Sequence, residues 1–148
     1  MSGDVRLISQ PTGSWELVAH PVNEGPAALY VRGRTYLAFS ASYCWSPAYC
    51  LGLLTWDGVT DPREESAWTK SNGCVLSSGN GHYGTGHNSF VQSPSGDETW
   101  IVYHATSNPD GACDDSRYTM MQQLGTNGGG APTFPQPAEF GRVFDEPS

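Results

Sequence analysis

The sequence predicts an all-β chain, a partial β-propeller of about two and a half four-stranded antiparallel blades, and three observations carry that prediction. Five Trp, seven Tyr and five Phe stand among eighteen Gly and eleven Pro, a mixture suited to short strands and tight turns rather than helices. Short apolar runs bounded by Gly, Pro, Asn and Asp recur along the whole chain. The runs also repeat: Glu24, a strand, a turn and residues 35–40 line up with His87, a strand, a turn and residues 99–104. The offset is 63 residues from Glu24 to His87 and 64 from Tyr36 to Trp100. Each unit continues with a third strand and a weaker fourth, the mark of a propeller blade.

Taken in order, residues 5–9 (VRLIS) and 14–18 (SWELV) read as the last two strands of one blade, split by the turn Gln10-Pro11-Thr12-Gly13. Residues 28–31 and 35–40 form a hairpin through Arg32-Gly33-Arg34. An aromatic loop over 43–49 leads to a strand at 51–56, which the Asp57-Gly58 turn closes. Residues 61–67 are a charged connection with one helical turn, and 68–76 return to extended structure. A Gly-rich loop over 77–86 precedes a second hairpin, 89–92 with 99–104, around Pro94-Ser95-Gly96-Asp97. A polar loop (106–116), a strand (118–124), a flexible turn (125–132) and a short edge at Thr133-Phe134 follow. The organisation is therefore a single partial propeller domain over 1–148: the end of one blade at 1–20, a second blade at 21–78, a third at 79–135 and an extended tail at 136–148.

The bulk numbers exclude some functions. The chain of 148 residues fits one domain with a sizeable core. Its formal charge of −8, from seven basic and fifteen acidic residues, argues against nucleic acid or an anionic membrane as partner. No apolar run approaches the roughly twenty residues of a membrane span, and the N-terminus shows no signal segment. Cys44, Cys50, Cys74 and Cys113 allow three complete pairings, and a local Cys44–Cys50 staple would close the Trp-Ser-Pro-Ala-Tyr loop. Without a Cys-x-x-Cys pair, zinc is not expected.

Glu24 is the first candidate for chemistry. Gly25 permits unusual backbone angles and Pro26 fixes φ, so Glu24 is held in one geometry at a strand entrance. A carboxyl group held rigidly at the mouth of a sheet suits general acid catalysis, while local composition alone equally describes a solvated turn glutamate. His20, His82 and His104 read as structural or solvated histidines. Asp57, Asp61, Asp97, Asp110, Asp114 and Asp115 lie in turn contexts that favour Asp for its own backbone bonding. Of these, Asp114 or Asp115 beside Arg117 comes nearest to a second catalytic carboxylate.

The strings VRLISQPTGSWE, VNEGPAALYVRGRTYLAFSAS, YCLGLLTWDG, WTKS, GTGHNSF and DETWIVYHA resemble, in order and spacing over residues 5–125, the five-bladed propeller enzymes of glycoside hydrolase family 43. These are α-L-arabinofuranosidases, endo-arabinanases and β-xylosidases. The resemblance implies an extracellular, inverting glycosidase acting on arabinan, arabinoxylan or xylan, with an arabinose- or xylose-containing oligo- or polysaccharide as substrate. It makes Glu24 the general acid, and it makes His87 a channel histidine that lies at a calcium ion or its water shell; no cofactor is otherwise required. It also gives Arg117 to the sugar pocket, and by position Trp45 and Tyr43 become stacking walls for the sugar ring. Thr85 stands where the family's Gly-Pro-Gly-His motif more often has proline.

An inverting mechanism also needs a base about 6.5–9.5 Å across the sugar from the acid. In the family the base and a tuning aspartate lie upstream of the acid, where this chain has only Asp4. The chain therefore reads as a truncated C-terminal half from which hydrolysis alone is not expected, with a complementing N-terminal half as partner. The alternative is a non-catalytic carbohydrate-binding or self-assembling propeller fragment that closes its edges by self-association.

Overall fold

The computed structural model describes residues 4–148; the first three residues of the expected leading blade segment lie outside the described residues. The strands are β1 (Asn23–Val31), β2 (Arg34–Ala41), β3 (Cys50–Trp56), β4 (Trp68–Lys70), β5 (Tyr83–Gln92), β6 (Thr99–Thr106), β7 (Tyr118–Gln123), β8 (Gly125–Thr126) and β9 (Pro132–Thr133). They form an antiparallel sheet β1-β2-β3-β4, a second antiparallel sheet β5-β6-β7 and a two-stranded ladder β8-β9. Antiparallel order follows from the short connections, since parallel strands need a long crossover.

The two sheets pack face to face. Leu29, Val31, Tyr36, Ala38, Leu51 and Leu53 of the first meet Ile101, Tyr103 and Leu124 of the second in the main core. Phe39, Ala41, Cys50 and Leu54 line the opposite face of the first sheet, covered by Ile8 and Trp15 from the N-terminal segment and by Trp68. That alternation along β2 and β3 is what a sheet buried on both faces requires.

The internal repeat is present, with a corrected register. In β1, Glu24 pairs Ser40; in β5, Gly86 pairs His104. The structural counterpart of Glu24 is therefore Gly86, 62 residues on, and His87 corresponds to Gly25 rather than to Glu24. Gly25 and His87 both have left-handed backbones, with φ of 55° and 50°. Each lies in a bulge where the pairing skips residues. The offset grows to 64 on the next strand because the turn grows. Val31 pairs Arg34 across Arg32-Gly33, whereas Ser93 and Glu98 are joined across four residues. The extra two residues at Pro94-Ser95-Gly96-Asp97 account for the difference.

The N-terminal segment departs from expectation. Residues 5–9 and 14–18 are not strands; Ser14–Glu16 is a single 3₁₀ turn. The cause is Glu16, whose side chain is fully buried. Its carboxylate accepts the N–H groups of Thr12 (2.9 Å) and Gly13 (2.7 Å), the Asn23 amide (3.0 Å) and Lys70 Nζ (3.0 Å). A buried carboxylate must be surrounded by donors, and curling the chain around it supplies them. Burial works against the Glu16 charge, but these four donors outweigh it and hold the group below the usual carboxylate range. Its stabilising contribution is thus present at neutral pH and lost as acid protonates it.

The same segment lays Trp15 over Gly52, where a Cβ would stand 2.5 Å from the rings of both Trp15 and Phe39. Gly52→Ala is expected to cost about 1–3 kcal/mol by overpacking, read as a lower urea midpoint with an unchanged m-value.

The cysteines pair as Cys44–Cys113 and Cys50–Cys74, so the local Cys44–Cys50 staple is not formed. Cys50 begins β3 and faces the segment after β4, where Val75 and Leu76 bond to Leu51. Cys44 is left to reach the second sheet. Residues 125–132 are not a free turn either: Gly125–Thr126 pairs Pro132–Thr133, with Asn127 closing the loop through its own backbone and side chain. The tail crosses the second sheet without regular structure, held by Gln122 Nε2 donating to Gln136 O (2.9 Å) and Asn80 Nδ2 to Pro137 O (2.7 Å).

Candidate active site

Matching positions of the two sheets converge at one end. Glu24 and Gly86, Gly25 and His87, and Ser40 and His104 are equivalent by strand pairing. Tyr49 and Arg117 each immediately precede a third strand, β3 or β7. The repeat thus superposes two sets of strand ends, and their differing residues build one polar cluster.

Glu24 sits at the β1 bulge with its side chain partly open to solvent, 43% exposed, so it remains accessible to a ligand. Its Oε1 accepts a hydrogen bond from the Tyr49 hydroxyl at 2.6 Å and lies 4.0 Å from His87 Nδ1. Oε2 has no protein hydrogen-bond donor among the described residues. The carboxyl also borders a small cavity of about 160 Å³, lined by Ile8, Pro26, Leu37, Phe39 and Leu54 among others.

His87 approaches Glu24 because Gly25 has no side chain: a Cβ there would lie 3.2 Å from the imidazole. Its backbone N–H donates to Ser40 Oγ at 2.7 Å, which ties the β5 bulge to β2 of the neighbouring sheet. His104 stacks on Tyr49 at 5.6 Å between ring centroids and lies 6.4 Å from the His87 ring. Burial first, and then the Arg117 and His87 charges, push His104 down to about 4, against an opposing pull from Glu24. His104 is therefore neutral where carboxylate chemistry is usually run.

That shift has a sign. Between about 6.5 and about 4 the unfolded chain binds a proton at His104 that the folded chain does not, so stability rises with pH across this window. We expect the melting temperature to fall as pH drops from 6.5 to 4. In His104→Phe, which keeps a ring against Tyr49, that part of the slope should flatten; thermal scans at half-unit pH steps measure it.

Arg117 joins His87, His104, Asp114, Tyr118 and Thr119 around a cavity of about 360 Å³. Its Nε donates to the Asp114 carbonyl at 3.2 Å. The neighbouring Cys113 is cross-linked to Cys44, so the loop carrying Tyr43 and Trp45 is tied to the loop carrying Arg117. Trp45 is half exposed; the Tyr43 ring is met edge-on by His20 at 4.6 Å. The structure thus brings Glu24 and His87 together, places Arg117 in the adjoining cavity, and holds Trp45 and Tyr43 on a loop linked to it. Asp114 faces the same cavity, and its carboxylate is held below the usual range first by the Ser116 side chain and backbone.

Among the described residues no group of three or more His, Cys, Asp or Glu could hold a metal ion. The groups around His87 are the Glu24 carboxylate, the His104 ring and, across the adjoining cavity, Asp114, Tyr118 and Thr119, whereas calcium prefers six to eight oxygens. An all-protein calcium cage is therefore not formed among the described residues, and His87 would meet such an ion through its water shell.

Sequence reasoning missed Tyr49, placed in an aromatic loop, and assigned His104 to a structural or solvated role. The signal was available in the repeat. Once Ser40 and His104 are aligned through β2 and β6, the residue ahead of each third strand, Tyr49 or Arg117, falls at the same corner.

The family model for Glycosyl hydrolases family 43 matches residues 1–132. The chain is 40% identical over 147 residues to the extracellular exo-α-(1→5)-L-arabinofuranosidase of Streptomyces avermitilis, covering 95% of this chain and 30% of that protein. It is 35% identical over 145 residues to α-L-arabinofuranosidase 43 of Humicola insolens, covering 94% of this chain and 30% of that one. Among solved structures, α-L-arabinofuranosidase from Lactobacillus brevis matches with a TM-score of 0.84 and 33% identity over 93% of this chain and 44% of its own. A thermostable family-43 glycoside hydrolase matches at 0.81 and 29% over 100% and 46%. The chain therefore spans about a third of its curated relatives and under half of these solved chains. Its two sheets are blades of a partial β-propeller.

Proposed function

Because the chain belongs to glycosyl hydrolases family 43, we propose that it supplies the general-acid side of a site that hydrolyses O-glycosyl bonds in arabinose-containing plant cell-wall polysaccharides. The observation that carries the reading is the state of Glu24: one oxygen taken by Tyr49, the other without a donor among the described residues, and the side chain open beside His87. In the inverting reaction Glu24 gives its proton to the leaving glycosidic oxygen as the C–O bond breaks. Water attacks the opposite face and passes a proton to a carboxylate base. That base and the aspartate that tunes the acid come from outside these 148 residues. Arg117 binds sugar hydroxyls, and the Tyr43–Trp45 loop provides the stacking wall. The extracellular relative and the two disulfides together favour an oxidising, extracellular setting for this chain too.

Calorimetric titration of arabino-oligosaccharides into the purified chain, run beside an assay for released arabinose, tests this reading. Binding without release is expected, and Arg117→Ala should weaken it about tenfold, the worth of a charge-assisted hydrogen bond. Failure to bind, or binding indifferent to Arg117→Ala, would count against the site. Turnover by the chain alone would place the base within it, with Asp114 the first residue to replace.

A further inference from the structure

We propose that Tyr49 is the positioning residue for the acid: its hydroxyl fixes Oε1 of Glu24, so that Oε2 is the oxygen that carries the proton to the leaving group. The proposal rests on the reading of Glu24 as general acid.

Four features hold Tyr49 in place. It is 1% exposed. Its ring lies nearly parallel to His104, at an interplanar angle of 9°. The ring also crosses the backbone of the second sheet at Gly86, where a Cβ would stand 2.4 Å from Tyr49 Cε1. Finally, its chain neighbour Cys50 is cross-linked to Cys74, and its own N–H bonds to Ser46 O at 3.2 Å. A phenol so confined has its hydroxyl between Ser40 and Glu24, and Glu24 Oε1 accepts from it at 2.6 Å.

The chemistry follows from donor and acceptor roles. Burial, and next the bond to Glu24, raise the Tyr49 hydroxyl well above its ordinary range, so it stays protonated and acts as donor. With Oε1 accepting from Tyr49, the carboxyl proton resides on Oε2, the oxygen without a protein partner. When Oε2 delivers that proton, the electron pair of the breaking C–O bond goes to the leaving oxygen, and Glu24 is left as a carboxylate. Tyr49 then donates to an ionised acceptor, a bond about twice as strong as to a neutral one. The water nucleophile loses its proton to the carboxylate base, which balances the step. Tyr49 touches neither sugar nor water; it acts through Glu24.

Two readouts test the proposal. In proton NMR of the full chain at low temperature, the buried Tyr49 hydroxyl should give a downfield resonance. The resonance should be absent in Tyr49→Phe and displaced in Glu24→Gln, while the indole N–H signals of Trp56 and Trp68, bonded to Thr60 O and Pro62 O, stay in place as a check on folding. A hydroxyl resonance that Glu24→Gln leaves unmoved would overturn the proposal. In a catalytically complete hydrolase carrying this chain, Tyr49→Phe should lower kcat about tenfold with KM within twofold, the effect of a loosened acid. Gly86→Ala, which keeps the phenol but pushes the ring, should do the same. A rise in KM with kcat preserved would mean that Tyr49 only shapes the pocket, and would also overturn it. If Glu24→Gln costs nothing in kcat while the hydroxyl resonance behaves as described, the acid reading fails but the Tyr49–Glu24 link stands.

Discussion

Glu24→Gln is expected to lower arabinose release from arabino-oligosaccharides by about 10²–10⁴-fold, the range that general acid catalysis contributes. The measurement needs a base, which a chimera provides: this chain is substituted for the matched segment of the Streptomyces avermitilis arabinofuranosidase. Glutamine keeps the size of the side chain, and its amide oxygen can still accept from Tyr49. The variant therefore isolates the proton. KM should change little, because in the proposed reading Glu24 serves as donor to the leaving oxygen rather than as a main binding contact.

The second large effect concerns the cross-link between the sheets. Cys44→Ser combined with Cys113→Ser opens a loop of 69 residues. In the chain-entropy account this removes about 4 kcal/mol of stability. For a domain of this size that is a fall of about 10 °C in melting temperature. The local consequence is separable. The loop before Cys113 packs on the other sheet's loop so closely that a Cβ at Gly111 would stand 2.4 Å from the Ser46 carbonyl carbon. The bridge sits between that contact and Arg117, whose Nη1 lies 3.7 Å from Cys113 Sγ. Without the bridge Arg117 and Trp45 lose their common tether. We expect oligosaccharide affinity to fall about tenfold at a temperature where the variant remains folded, as measured by calorimetry beside circular dichroism.

The hairpins were legible in the sequence because their signals are local. Arg32-Gly33 sits between two apolar runs, and both residues adopt the positive φ that such a turn requires. The blade repeat was legible because it preserves spacing. Its register was not, since the longer second turn changes the offset from 62 to 64: aligning Glu24 with His87 by chemistry looks natural, yet strand pairing sets His87 against Gly25. The N-terminal strands failed for a different reason. VRLIS and SWELV alternate well, but the alternation includes Glu16, and burying that charge demanded four donors that an extended strand would have pointed elsewhere. The cysteine pairing depended on which loops meet across the sheets, a long-range fact that spacing does not carry.

The site was half legible. Glu24 and His87 stand in motifs that can be read along the chain, and Arg117 follows only from the family resemblance. Tyr49 belongs to the site only through space, by crossing Gly86 to reach a carboxylate 25 residues earlier. No local pattern marks it; only the superposition of the two blades does.

The sharpest test compares two substrates in the Glu24→Gln chimera. A 2,4-dinitrophenyl arabinofuranoside has a leaving group that needs no proton, and an arabinobioside has one that does. If Glu24 is the proton donor, turnover of the first stays within about threefold of the parent while the second falls at least a hundredfold. An equal loss on both would contradict the account, because it would make Glu24 a structural or binding residue and leave the proton to another group.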